Sequence, residues 1–479
     1  MAEATATAPA AAGERPEPAA APLEGYDRVP RPMRLEPAPT RLRILFLYSR
    51  PPLPMTRGDE LTVAHLLEFL HARGHVVDFV SIIGQGQKLR PAHRAWLETR
   101  CRSVRLIEQH RLAGLWQAAI GLLRGWPLQI GYLYVPAQIS VAKEAAATSN
   151  YDLAYAYYIR SAEALRGLEN RVPTKFLALQ LSQTLNTERL AANAAGFWER
   201  LFYRFEHRRM AAYEARIWRV ADRTVLIGEK DRAAIEAACR KQDLPPIDNV
   251  VFGPHGVDTA RFRPRPAEEE DGIVAMSGVM RYAPNVEAAT WFLARVWPAV
   301  RAARPDAQFW LVGRDPAPAL LAQHGQNGVT VTGTVDEPAD WLARATVCVA
   351  PIRAAAGLQN KLLEALAMGK AMVATPEANE GIQAVADRDL VIAGPPEVFA
   401  RAVLDLLADP ARRRVLGAAG RAFVEAKWTW EAPFLVLEAA FLEAHRAAAC
   451  PTARASAPAL VEDRVVGRAA GGGEGGPGR

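Results

Sequence analysis

Cysteine is scarce in this 479-residue chain. Its four copies, Cys101, Cys239, Cys348 and Cys450, show no paired spacing. That excludes a disulfide framework and a thiolate zinc site, and fits a reducing compartment. Lysine is scarce as well, with eight copies among 58 basic residues, so the formal charge of +6 is carried by arginine. So mild an excess tolerates anionic ligands or a membrane surface. It does not argue for nucleic acid, and no finger, ribonucleoprotein or basic-zipper pattern is present. No apolar run approaches the roughly 18 residues that a membrane-spanning helix needs, so none is expected. The Ala/Pro-rich opening, MAEATATAPAAAGERPEPAA, lacks the apolar core of a signal peptide. Residues 1–40 therefore read as a disordered extension, and residues 450–479, ending GRAAGGGEGGPGR, as a disordered tail. A cytoplasmic location is the expectation.

Half of the residues are hydrophobic, enough for two or three domains. From Leu42 the chain reads as a strand (LRILFLYS), a Pro/Gly loop, and a helix with Val63, Leu66, Leu67 and Leu70 on its apolar face. Gly74 stops that helix before a second strand, VVDFVSII. Strand-like runs recur at Tyr151–Tyr157, Lys175–Leu179, Arg223–Ile227 and Asn249–Phe252, with helical stretches between, which implies a parallel sheet. The charged segment ARFRPRPAEEEDG reads as a linker, after which IVAMSG, AQFWLVG, VTVTG, VCVAP, AMVAT and DLVIAG alternate with helices. The expected fold class is α/β, two doubly wound domains facing across a cleft. Its expected divisions are a first domain over 41–258, a second over 259–427, and a return helix over 428–449 that packs on the first domain.

GLQNKLLEALAMGKAMVAT, Gly357 to Thr375, sits where a strand turns into a helix. The unpaired N–H groups and positive dipole of a helix start favour an anion by roughly 0.3–1 kcal/mol per interaction. Lys361 stands at that same end, the wrong end for a lysine if helix stability were all that mattered. A bound diphosphate explains it. Glu364, one turn on, suits the hydroxyls of a ribose. The bland alternative is an i,i+3 Lys/Glu surface pair worth a few tenths of a kcal/mol.

This stretch resembles the donor motif of retaining glycosyltransferases of family 4 with the GT-B fold, in particular exopolysaccharide-associated sugar transferases. PHGVDTARFRP, SGVMRYAPNVEAATWF and ANEGI follow the order of that family's other segments. The resemblance implies an enzyme that moves a sugar from a nucleotide diphosphate sugar with retained configuration and without a metal or other cofactor. It implies that Lys361 and Arg281 act on the leaving diphosphate, and that Gly357, Asn360, Glu364, Gly278 and Glu380 hold the donor. Arg57, Gly58 and Asp59 match a loop beneath the phosphates and the acceptor. Two departures stand out. Ala356 replaces a sugar-contacting glutamate, and Arg281 stands offset where relatives place an Arg/Lys pair. Asp59 also reads as a simple helix N-cap, His255 as a hinge residue, and His65 as packed or at the surface.

The acceptor is expected to be a glycan or lipid-linked acceptor. Arg111–Tyr134 mixes aromatic and apolar residues with arginines, as the headgroup region of a bilayer favours. Glu199–Arg223 places Arg204, Arg208 and Arg209 where they could meet membrane phosphates. Two ordinary core-packing helices are the alternative, and peripheral contact with the inner membrane face is the sharper expectation. Alternatives to the transferase are a non-catalytic GT-B scaffold in a polysaccharide assembly complex and a nucleotide-sugar epimerase.

Overall fold

The computed structural model describes residues 29–55, 57–193, 196–253, 255–353 and 358–449. Two parallel sheets organise them. The first contains β1 (Arg43–Tyr48), β2 (Val76–Gly84), β3 (Ser103–Gln109), β4 (Leu153–Tyr157), β5 (Thr174–Gln180), β6 (Arg223–Leu226) and β7 (Val250–Phe252), in the order β3-β2-β1-β4-β5-β6-β7. The second contains β8 (Ile273–Ser277), β9 (Gln308–Val312), β10 (Val329–Gly333), β11 (Val347–Ala350), β12 (Ala371–Ala374) and β13 (Val391–Ile392), in the order β10-β9-β8-β11-β12-β13. Central strands such as Leu153–Tyr157 and Ile273–Ser277 are buried throughout, as expected of strands covered by helices on both faces. Strand order reverses between β1 and β4 and between β8 and β11. Such switch points open a crevice at the carboxyl ends of the strands.

The helix Glu431–Ala449 returns to the first domain. It buries Phe434, Leu437 and Phe441 among first-domain residues, with the Phe441 ring centroid 4.7 Å from that of Phe176. Just before it, Trp430 stacks on His65 at 4.5 Å. His65 is therefore a packed residue, and burial lowers its pKa to about 4.

Three expectations change. Residues 29–40 lie within the stretch read as a disordered extension, yet they pack along the first domain. Met33 and Leu35 supply the apolar anchors, Met33 N–H donates to Glu68 Oε1, and Ala38 N–H donates to the Arg73 carbonyl. Residues 1–28 and 450–479 lie outside the described residues. The sheet-edge strand β3 went unforeseen, because its half-buried sequence SVRLIEQ alternates too weakly to announce a strand.

Core packing also fails as an account of Arg111–Leu123. That helix buries only the small Gly114, Ala118 and Gly121. An added Cβ on Gly121 would lie 2.9 Å from Gly131 Cα, so the small face is what lets the helix Leu128–Tyr132 dock. Leu112, Trp116 and Leu123 consequently face outward, 80%, 67% and 90% exposed. The helix Phe197–Ile217 is mixed: Met210, Tyr213 and Ile217 are buried, while Phe197, Trp198, Leu201 and Phe202 are exposed.

Candidate active site

A cavity of about 590 Å³ lies between the two sheets. Its first-domain wall carries Arg57, Gly58 and Asp59, and its second-domain wall carries Gly278, Asn360, Lys361 and Glu364. The helix Asn360–Ala367 points its N-terminus into this space, because β11 ends at Ala350 and the chain must turn at the cleft before the next helix. Lys361 is buried at 8% exposure. Its Nζ donates to Asn285 Oδ1 at 2.6 Å and to Gln359 Oε1 at 3.3 Å. It makes no ion pair with Glu364, so the surface-pair alternative does not describe this lysine. Burial pushes the Lys361 ammonium down to about 8, with the Glu364 charge pulling the other way. Burial raises the Glu364 carboxyl, opposed by Arg261 and Lys361. The result is a cation beside a helix N-terminus in a desolvated wall, a setting that favours a multiply charged anion.

Backbone conformation shapes the space in front of Lys361. Gly278 has φ +148°, and a Cβ there would fall 2.8 Å from Asn285 Nδ2. Gly313 has φ +143°, and a Cβ there would fall 1.9 Å from the Gly278 carbonyl oxygen. Both positions follow the carboxyl ends of strands, where the missing Cβ lets Gly313 approach the Gly278 carbonyl and lets Gly278 approach Asn285 and Lys361. His255 reaches the site from the segment joining the domains, its Nε2 donating to Asn360 Oδ1 at 2.5 Å.

Other sequence-based assignments move. Arg281 does not line the cavity; it is 72% exposed and sits 3.5 Å from Asp315. The turn after β8 directs its side chain away, and Arg314, just past β9, lines the cavity instead. Glu380 lies in an adjoining cavity of about 490 Å³ and pairs with Lys230 across the domains. Asp59 is no N-cap. Arg57 holds that position, and the Asp59 carboxylate accepts from the Tyr48 hydroxyl at 2.8 Å with Arg50 at 3.5 Å. Gly357 and Ala356 lie outside the described residues. Arg209 is already committed to protein carbonyls, donating to Leu122 O and Trp126 O at 3.0 Å each. Asn285, Gly313 and Arg314 went unnamed by sequence reasoning, although a glycine closing a strand, as in WLVGRD, marks a cleft-facing turn. Among the described residues no cluster of three or more His, Cys, Asp or Glu could hold a metal ion, and no helix is long and apolar enough to cross a membrane.

Residues 271–409, which hold this second-domain wall, match the family described as Glycosyl transferases group 1. That segment is similar to group 1 glycosyl transferases, and the two parallel-sheet domains together have the GT-B fold. Sucrose-phosphate synthase from Thermosynechococcus elongatus superposes with a TM-score of 0.57 at 19% identity, covering 85% of this chain and 100% of that one. Anabaena HepE, solved with UDP-glucose, superposes with a TM-score of 0.55 at 15% identity over 84% and 99% of the two chains. In sequence the chain is similar to a GDP-mannose-dependent monoacylated alpha-(1-6)-phosphatidylinositol monomannoside mannosyltransferase of Corynebacterium glutamicum. That match is 30% identical over 198 residues, covering 37% of this chain and 52% of the relative. A GDP-mannose-dependent alpha-(1-6)-phosphatidylinositol monomannoside mannosyltransferase of Mycobacterium tuberculosis is 31% identical over 212 residues, covering 39% and 54%. The chain thus spans about half the length of the curated relatives it matches.

Proposed function

We propose that this protein is a retaining hexosyltransferase that moves a sugar from a nucleotide diphosphate sugar onto a glycan or lipid-linked acceptor, without a metal. The observation that carries this reading is Lys361, buried at a helix N-terminus in the interdomain cleft and in no ion pair among the described residues. In the reaction, the bond between the sugar's anomeric carbon and the diphosphate oxygen breaks. An acceptor hydroxyl forms the new bond, and its proton passes to the departing phosphate. Lys361 and the helix N–H groups stabilise the charge that develops on the leaving group, work of the oxyanion-hole kind. Glu364 receives the ribose hydroxyls, Asn360 and the bare backbone of Gly278 bound the donor, and Arg314 takes the part that the resemblance gave to Arg281. Arg57, Gly58 and Asp59 face the acceptor side. Closure of the two domains completes the site.

GDP-mannose is the first donor to try, since the named mannosyltransferases use it, and their glycolipid acceptors favour a lipid-linked acceptor over a soluble exopolysaccharide. The exposed apolar face of Arg111–Leu123 and Phe197–Phe205 supports a cytoplasmic enzyme resting on the inner membrane surface. The displaced Arg281 favours the scaffold reading, a non-catalytic protein that keeps nucleotide binding or only the GT-B framework. The test is a thermal-shift panel of nucleotide sugars on the wild type and on Lys361→Ala. Stabilisation by one donor, absent in the variant, is expected; a folded wild type that responds to none would make the protein a scaffold. Donor cleavage without any acceptor would mark an epimerase-like activity.

A further inference from the structure

The chain passes between the two domains twice, and the two crossings are joined at the hinge. Val257 N–H donates to the Trp428 carbonyl at 2.8 Å, and Val257 pairs with Thr429 in a parallel bridge. An added Cβ on Gly256 would lie 2.9 Å from the Thr429 carbonyl oxygen and from Trp430 Cα, so the crossings meet backbone to backbone. Trp430 stacks on His65 at 4.5 Å and on Phe434 at 5.5 Å, which ties the hinge to the helix Gly58–Ala72 and to the return helix. The buried His255 sits against this stack, its ring edge-on to Trp430 at 5.6 Å. Its Nε2 meets Asn360 Oδ1 at 2.5 Å, on the first residue of the helix that carries Lys361.

We infer that His255 is a positioning residue: it holds the start of the helix Asn360–Ala367 against the hinge, so that the element joining the domains also aims Asn360 and Lys361. An oxygen can only accept, so Nε2 carries the proton of this imidazole. Burial lowers the His255 pKa against the pull of the Asn360 hydrogen bond, which keeps the ring neutral near pH 7. With Oδ1 occupied, the Asn360 amide is fixed in one orientation. Its Nδ2, which has no hydrogen-bond partner among the described residues, is left to donate to a ligand. His255 and Asn360 both line the interdomain cavity, and the helix Gly58–Ala72 contributes Gly58 and Asp59 to the opposite wall. One series of contacts, His65 to Trp430 to His255 to Asn360, therefore joins the two walls through the hinge. A hinge residue that only packed would need no hydrogen-bond donor, and one that only served the helix start would need no ring contact with the hinge. The inference rests on the transferase reading only in taking the ligand to be a nucleoside diphosphate.

The test separates the ring from its hydrogen bond in the full chain. His255→Phe keeps a ring against Trp430 and removes the donor; His255→Gln removes the ring and returns an amide N–H to Asn360. Each variant is read twice, by amide exchange over Asn360–Ala367 in the ligand-free protein and by calorimetry with GDP and with UDP. In His255→Phe exchange should be about fivefold faster, and affinity for the nucleotide that wild type binds about fivefold weaker. His255→Gln should restore both. Asn360→Ala should raise exchange as His255→Phe does, and adding His255→Phe to it should change neither reading further. Exchange equal to wild type in His255→Phe, no restoration by His255→Gln, or additive effects in the double variant overturns the role of His255. So does an affinity that stays unchanged while exchange rises. Should His255→Phe fail to fold, Asn360→Ala with raised exchange beside His255→Gln with wild-type exchange supports the role, and any other pairing overturns it. A wild type that binds neither nucleotide would overturn the transferase reading and leave the exchange comparison to decide His255 by itself.

Discussion

Lys361 Nζ donates a 2.6 Å hydrogen bond to Asn285 Oδ1, joining the first turns of two helices, Asn360–Ala367 and Ala283–Arg295. The amide aims the ammonium without neutralising it, so the full charge stays available to a ligand. Lys361→Ala should lower kcat by roughly 10²–10³ while thermal melting without ligand changes little. Steady-state kinetics beside a melting curve checks both.

The same lysine sets a pH dependence. Its pKa in the folded protein, about 8, lies below the ordinary 10.5. Between those values the unfolded chain holds a proton that the folded chain does not. This group's contribution to stability therefore rises with pH across the window. Donor binding runs the other way, because it needs the ammonium. Nucleotide-sugar affinity should fall above about pH 8 in wild type and stay flat in Lys361→Arg, whose guanidinium keeps its charge. Equal profiles in the two proteins would remove Lys361 from the diphosphate.

Gly278 and Gly313 should separate binding from folding. In Gly313→Ala the new methyl meets a backbone oxygen at 1.9 Å, which cannot yield without moving β8 or β9. A loss of roughly 1–3 kcal/mol is expected in the second domain. In Gly278→Ala the methyl meets a side-chain amide at 2.8 Å, and Asn285 can swing aside. Lys361 then loses its aim, so donor affinity should drop more than stability does. Denaturant titrations and donor binding, run on both variants, make the comparison.

Lys361 was legible because a lysine at a helix start contradicts local stability and so calls for a ligand. The central strands were legible because strands buried on both faces read as unbroken apolar runs. Arg281 was misplaced because spacing gives a residue's position along the chain, not the direction in which a turn sends its side chain. Asn285 was silent because an asparagine in the first turn of a helix has an ordinary explanation as a local backbone partner. Its aim at Lys361 exists only once β8 and β11 lie side by side. The packing of residues 29–40 was hidden for a related reason: Met33 and Leu35 are too few to signal order in an Ala/Pro-rich stretch and are ordered only by the partner surface they meet.

Arg204, Arg208 and Arg209 should not behave alike. Arg209 holds the carbonyls of Leu122 and Trp126, so Arg209→Ala should lower stability by roughly 1–2 kcal/mol through unsatisfied acceptors. The exposed Arg204 and Arg208 should leave melting unchanged and weaken flotation on anionic vesicles, as should Trp116→Asp on the exposed face. Unaltered flotation in Trp116→Asp and in the Arg204/Arg208 variants would turn this face over to a protein partner.

The return helix is pinned by Glu438, which is 3% exposed. Its carboxylate accepts from Arg73 Nε at 2.8 Å, Arg73 Nη2 at 2.7 Å and His75 Nε2 at 2.8 Å. Burial alone would raise its pKa. The Arg73 and His75 hydrogen bonds outweigh burial and hold it below the ordinary 4.5. A depressed carboxylate stabilises the fold above its unfolded pKa, and that stabilisation is lost as pH falls through the folded value. Glu438→Gln should therefore destabilise the first domain by roughly 3 kcal/mol near neutral pH, since it leaves Arg73 without its charge partner. The gap between wild type and variant should narrow as the wild-type carboxylate takes up its proton, so urea unfolding near neutral pH and again well below about pH 4 reads the electrostatic part directly. A gap that stays constant over that range would mean the helix is held by Phe434, Leu437 and Phe441 alone, with the ion pair adding no net stability to the domain it joins.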